Sequence, residues 1–169
     1  MADARLQYPL EQVLEIKKKR VADAERKLKE KIEALEKEKQ ILIQKEKARD
    51  KVLQHRNDKL AQLRQEMDQA GTTTSAKIQQ MKDYLKVVAE RLKEEEKKVA
   101  EQKKVVQQAE EQVAQAREEL RLKQLEVDKL VQHRTDWIQL MKIEIEQEED
   151  RVLDEIGEVI HQMHKRKNK

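Results

Sequence analysis

"QAGTTTSAK" (residues 69–77) is the one place where this 169-residue chain stops reading as helix for more than a residue or two. Gly71 suits the left-handed conformation that follows a last helical turn, and Thr74 or Ser75 is placed to cap a new helix. The segment is short enough to force a reversal. It therefore predicts a hairpin: helix over 9–70, tip over 71–75, helix over 76–166. Pro9 fits the first turn of helix one, with Glu11 favourable at its positive end.

Composition agrees. Charged residues are 43% of the chain and aromatics 2%, with no Phe, against about 25% charged in an ordinary globular domain. The 37% hydrophobic fraction is mostly aliphatic and must be buried along a narrow line between helices. One elongated all-α domain over 1–169 is expected. The net charge of +3 is the remainder of 38 basic and 35 acidic residues, so no global field calls for nucleic acid. The absence of cysteine removes disulfide and thiol chemistry and fits a reducing compartment. No apolar run approaches the roughly 18–20 residues of a membrane span, so a cytosolic protein without direct membrane insertion is expected.

Heptad spacing supplies the seams. In helix one Leu14, Val21, Leu28, Leu35 and Leu42 recur every seventh residue. Leu53, Leu60 and Met67 then resume after a step of eleven, which predicts a stutter. Leu10, Ala24 and Val52 partly fill the second seam position, weakened by Lys17, Lys31, Glu38 and Lys45. Helix two keeps Ile78, Leu85, Leu92, Val99, Val106, Val113, Leu120 and Val127 in step, with Met81, Val88, Ala109, Ala116, Leu130 and Trp137 alongside. A second step of eleven leads to Ile138, Ile145, Val152 and Val159. Glu25 with Lys29, Glu33 with Lys37 and Glu94 with Lys98 support helix on outward faces.

A reversal near Thr73 sets residue i opposite roughly 146 minus i. Helix two then overhangs from about Ile138 onward, and its apolar series continues with no helix one to cover it. Exposed seams need partners, and a docking surface for another protein is favoured over a simple dimer contact. A monomer is the expected state.

Other motifs carry less chemistry. His161 and His164 lie one turn apart near Glu158, but without further ligands they read as a solvated tail. Glu144, Glu146, Glu148, Glu149 and Asp150 form an acidic run ahead of "HKRKNK" (164–169), read as a solvated face. "QHR" occurs at 54–56 and 132–134, with Arg56 and Arg134 where a seam wants an apolar side chain. It is either a register device or chance similarity. Trp137 is expected to pack on Tyr8 and Leu10, while Tyr84, one residue off the Leu85 seam, is a candidate exposed anchor. Gly157 interrupts a good helix. With two glycines and one serine there is no phosphate loop, no catalytic constellation and no cofactor or metal site, so no enzyme is expected.

"YPLEQVLEIKKKRV" (8–21) and "MKDYLKVVAERLKEEEKKV" (81–99), with the hairpin layout, resemble the type III secretion stalk family of the YscO and FliJ type, most closely its chlamydial injectisome member. The resemblance implies a cytosolic antiparallel coiled-coil hairpin, similar in architecture to the shaft of rotary ATPases. Such a protein inserts into the hexameric secretion ATPase, links it to the export gate and, in some members, handles secretion chaperones of translocators. It would work at the base of the secretion apparatus, as a resident or as an exported protein. On that basis Leu10, Val13, Val21, Ile145, Val152, Ile156 and Val159 are candidates for the ATPase contact. Met81, Tyr84 and Val88 are candidates for the export gate or a chaperone. The competing reading is a generic coiled-coil scaffold or adaptor.

Overall fold

A computed structural model of the chain describes residues 6–69, Gly71 and residues 74–167. Two helices make up almost all of it: α1, Glu11–Asp68, and α2, Ser75–Lys167. They pack on each other as an antiparallel hairpin, with cross-helix partners in inverse order: Glu11 with Arg134, Lys31 with Gln112, Glu66 with Lys77. The numbers in each pair add to 143 or 145, close to the register expected from a reversal near Thr73.

The ends obey local chemistry. Pro9 and Leu10 form a turn ahead of α1, in which Glu11 N–H donates to Tyr8 O at 3.1 Å and Leu14 N–H to Leu10 O at 2.9 Å. The helix therefore starts two residues after Pro9. Gly71 has φ +123°, a conformation that side chains with a Cβ avoid. The Thr74 carbonyl accepts from the N–H groups of Lys77 (2.9 Å) and Ile78 (3.3 Å), so Thr74 is the cap and Ser75 the first helical residue. Ala70, Thr72 and Thr73 lie outside the described residues.

Contacts divide the chain into two units, Arg26–Glu118 and Met1–Glu25 with Glu119–Lys169. In the first, which includes the tip, Val88, Leu92, Val99, Val106 and Val113 of α2 and Leu63 of α1 are buried. Leu28, Leu35 and Leu42 of α1 are half-buried along the same seam. Burial adds to the expected step of eleven in α1: Leu53 and Leu60 are half-buried as that step requires and Met67 is 50% exposed, but the original seven-residue series also continues, through half-buried Arg49 and Arg56 to buried Leu63. Arginine stems cover apolar surface while the guanidinium reaches water. Arg56 thus holds a position that a count of apolar residues skips.

The second column of α1 is largely charged, and α2 answers it. Lys31 Nζ donates to Gln112 at 2.9 Å, and Lys77 pairs with Glu66 at 2.9 Å. The most enclosed member is Gln102, 5% exposed. Its amide N–H donates to Glu38 Oε2 at 2.6 Å and to Glu38 O at 3.2 Å, and its Oε1 accepts from Lys45 Nζ at 2.8 Å. Satisfied on both sides, this network favours one register. On the outer face Lys98 pairs with Glu95 at 2.8 Å rather than with Glu94, and that bond raises the Lys98 pKa.

In the second unit Leu14 is fully buried, with Tyr8 and Ala24 nearly so. Tyr8 packs edge-on against Trp137, ring centroids 5.7 Å apart. Lys17 bridges to Glu126 at 2.5 Å; the hydrogen bond and charge of Lys17 hold the Glu126 carboxyl below its usual range. The α2 seam runs on through half-buried Arg134, Trp137, Ile138, Met141 and Ile145. Every residue from Glu146 to Arg166 is exposed. The overhang therefore starts near Glu146 rather than Ile138, because the segment before α1 extends the cover: Leu6, Gln7 and Tyr8 line a depression together with Ile138.

Two substitutions probe the seam. Gln102→Ala should destabilise the protein by about 1–3 kcal/mol, since it strands part of the Glu38 and Lys45 hydrogen bonding; Gln102→Leu strands the same groups and should recover only the part of that loss that comes from filling the seam. Denaturant melts followed by circular dichroism read both. Arg56→Leu should raise the melting midpoint by replacing a charge in an apolar column, and a lowered midpoint would show that the guanidinium itself stabilises the seam.

Candidate functional site

A two-helix body has no enclosed centre, so its functional surface is what the seam leaves uncovered. The largest such feature is the end of α2. Val152, Ile156, Val159 and Met163 follow one another at steps of four, three and four, each 50–61% exposed, with Leu153 and Ile160 widening the stripe. That spacing marks one helix face. Its flanks are acidic: residues 144–158 hold eight Asp or Glu and a single Arg. A Cβ on Gly157 would meet nothing within 4 Å, so the glycine permits no close packing here. His161 and His164 are exposed, and His164 Nδ1 bonds to the Ile160 carbonyl at 3.2 Å. No group of three or more metal-ligating side chains occurs among the described residues.

The other residues expected in this contact fall into two classes. Leu10, just ahead of α1, and Val13, on its first turn, are open at 39% and 40% exposure. Val21 and Ile145 are half-buried seam residues, Val21 lining a small hollow with Val127. They support the surface rather than form it.

A second surface lies in the unit that includes the tip. Tyr84 is 46% exposed and shares a 2.9 Å hydrogen bond with His55 Nε2, the two rings meeting edge to face. It forms a common wall of two shallow depressions of about 320 and 340 Å³. One is lined by Lys59, Gln62, Lys77, Gln80, Met81 and Leu85, the other by Lys51, Val52, His55, Val88 and Arg91. Met81 is half-buried at the floor. Val88 corrects the expectation of a contact residue: at 5% exposure it belongs to the interhelical seam, where its heptad position puts it. Nearby Asp83 is held below its usual pKa by hydrogen bonds from Lys86 and Gln79.

The two "QHR" words turn out to do the same thing. His133 Nδ1 meets the Tyr8 hydroxyl at 2.6 Å, as His55 meets Tyr84, so both tyrosines of the chain pair with a QHR histidine across the hairpin. The arginines, Arg134 and Arg56, are half-buried in their seams. Arg134 forms an ion pair with Glu11 at 3.1 Å, although its buried Nε lacks an aligned hydrogen bond. The repeated word beside a tyrosine count of two was the available signal; the pairing needs the register.

Trp137 makes the Tyr8 clasp measurable. Tyr8→Ala should red-shift Trp137 emission and raise its quenching by acrylamide, because the edge-packed ring is lost. An unchanged spectrum would mean that Tyr8 does not shield the indole in solution.

No helix among the described residues is long and apolar enough to cross a membrane. Comparison with known proteins bears on what these surfaces serve. No curated protein matches the chain. It is similar to a solved structure, CT670 from Chlamydia trachomatis, described as a YscO homolog, at 42% identity and TM-score 0.91 over 95% of this chain and 98% of that one. A sequence model of the family described as YscO-like protein matches residues 5–167, and with nearly its whole length accounted for, the chain belongs to the YscO-like family.

Proposed function

We propose that this protein is a central-stalk component of a type III secretion system. In this reading the end of α2 engages the hexameric secretion ATPase, and the surface around Tyr84 faces the export gate or a translocator chaperone. Its place is the cytoplasmic base of the apparatus, without insertion into the membrane. Family membership supports the setting. The observation that carries the mechanism is the uncovered stripe Val152, Ile156, Val159 and Met163 on residues that no other part of the described chain buries.

The physics suits a ring. A lone helix presents one apolar face and cannot match six equivalent subunits at once, so it contacts one or two and leaves the others free. The acidic flanks add long-range attraction toward basic groups, which raises the encounter rate more than the lifetime. Such a fit can be remade as the ring turns over. Leu10, ahead of α1, and Val13 of α1 would complete the surface at the start of the hairpin.

ATP hydrolysis by the purified secretion ATPase of the same organism tests this directly. Full-length protein should stimulate hydrolysis or promote hexamers seen by light scattering. A chain ending at Arg151 should not, and Ile156→Asp should weaken the apparent affinity by at least about tenfold. Both changes lie on exposed helix and leave the seam intact. Equal stimulation by the truncated chain would remove the ATPase from the reading.

A further inference from the structure

We propose that the Tyr84 groove is a docking site for an acidic amphipathic helix carried by another protein. The inference deepens the gate-or-chaperone half of the proposed function and is independent of its ATPase half.

Three observations carry it. The two depressions share Tyr84, so together they make one groove between α1 and α2. Its α1 wall repeats at Lys51, His55 and Lys59, and its α2 wall at Lys77, Tyr84 and Arg91; these are steps of four and seven, which keep one helix face in view. From Lys77 to Arg91 the α2 wall rises about 21 Å, the length of roughly four helical turns. Second, the floor is apolar where the rim is not: Val52, Met81, Leu85 and Val88 lie between the walls. Third, the rim is of one sign. Lys51, Lys59, Lys77 and Arg91 line the groove, and no carboxylate does among the described residues.

This is charge segregation in a chain whose acids and bases nearly balance. Lys77 already shares Glu66, so Lys51, Lys59 and Arg91 set the preference. A groove between two helices accepts a third as its natural occupant, the incoming apolar stripe meeting the floor while its polar flanks meet the rim. With a basic rim, those flanks are Asp and Glu. Tyr84 is the anchor: a large ring, half-exposed and held in place by His55, loses little side-chain freedom when covered.

The experiment uses the full chain and three designed peptides of roughly 21 residues. Each carries the same Leu stripe at helical spacing, with Glu, Gln or Lys on both flanks. Fluorescence anisotropy should show the Glu peptide bound at least about tenfold more tightly than the Gln peptide at low salt, with the advantage shrinking as salt rises. The Lys peptide should not bind. Tyr84→Ala should weaken the Glu peptide about thirtyfold, and Tyr84→Phe should retain most binding. Lys51→Glu with Arg91→Glu, both on the surface, should invert the preference toward the Lys peptide.

No preference among the peptides, no binding at all, or binding indifferent to Tyr84→Ala would each overturn the proposal. So would a concentration-dependent mass in sedimentation that disappears both in Tyr84→Ala and on deletion of residues 146–169. That result would give the groove to the chain's own acidic segment. Stimulation of the ATPase by Tyr84→Ala should equal that of the unaltered protein, so failure of the groove and failure of the stalk reading produce different results.

Discussion

Everything in this hairpin depends on a seam only two side chains wide. Two helices meet along a line, and each contributes one column that faces its partner fully and one that faces it obliquely. Here the direct column is aliphatic and the oblique column of α1 is mostly charged. Among the described residues only nine hydrophobic side chains are buried and only Leu14 is wholly so. Burial of that kind adds roughly 1.5–3 kcal/mol for each fully enclosed aliphatic side chain and less for the rest, so cohesion is spread thinly along the chain. Exposed bridges such as Lys39 with Glu110 at 3.0 Å contribute little in water. What they and Gln102 supply is discrimination between registers, because a slip of one turn would bring unlike partners together.

The polar clasps extend that logic to each unit. Tyr8 with His133 and Tyr84 with His55 tie the helices through side chains that lie at the edge of the seam. A hydrogen bond between exposed groups such as Tyr84 and His55 adds little net stability, yet it fixes a direction that interchangeable Leu and Val contacts leave loose. Tyr84 stays 46% exposed while it is so held.

How much of this was legible depends on which residues hold the pattern. Helix two keeps Ile, Leu and Val at every seventh position from Ile78 to Val127, and its burial follows. Helix one changes from Leu42 to Arg49 and Arg56. A reading based on apolar residues therefore jumps to Leu53 and finds a stutter, whereas the arginine stems keep the original step. The start of the overhang was misplaced for a related reason: Leu6 and Tyr8 precede the helix and carry no periodicity, yet they meet α2. The exposure of Val152, Ile156 and Val159 was readable because helix one is too short to reach them. The burial of Val88 was not, since heptad position and proximity to an exposed tyrosine argued in opposite directions and position won. The clasps were visible only as a repeated word. Converting the word into contacts takes a register accurate to a residue or two, which periodicity alone does not provide.

The net charge conceals a strongly uneven distribution along the chain. Residues 144–158 carry eight acidic side chains and one Arg, a local charge of −7 within a chain of +3, which leaves +10 on the remainder. The chain thus holds an acidic amphipathic helix at one place and a basic apolar groove at another, two surfaces that complement each other in sign. A protein built this way stays monomeric only while neither surface alone suffices for tight association. In the proposed function, partners gain by adding what the chain does not offer itself: several subunits of a ring around the stripe, or a longer and better-fitted apolar face above Tyr84. Weak individual surfaces made strong by the geometry of the partner are what a component needs if it must hold two neighbours and let go of either.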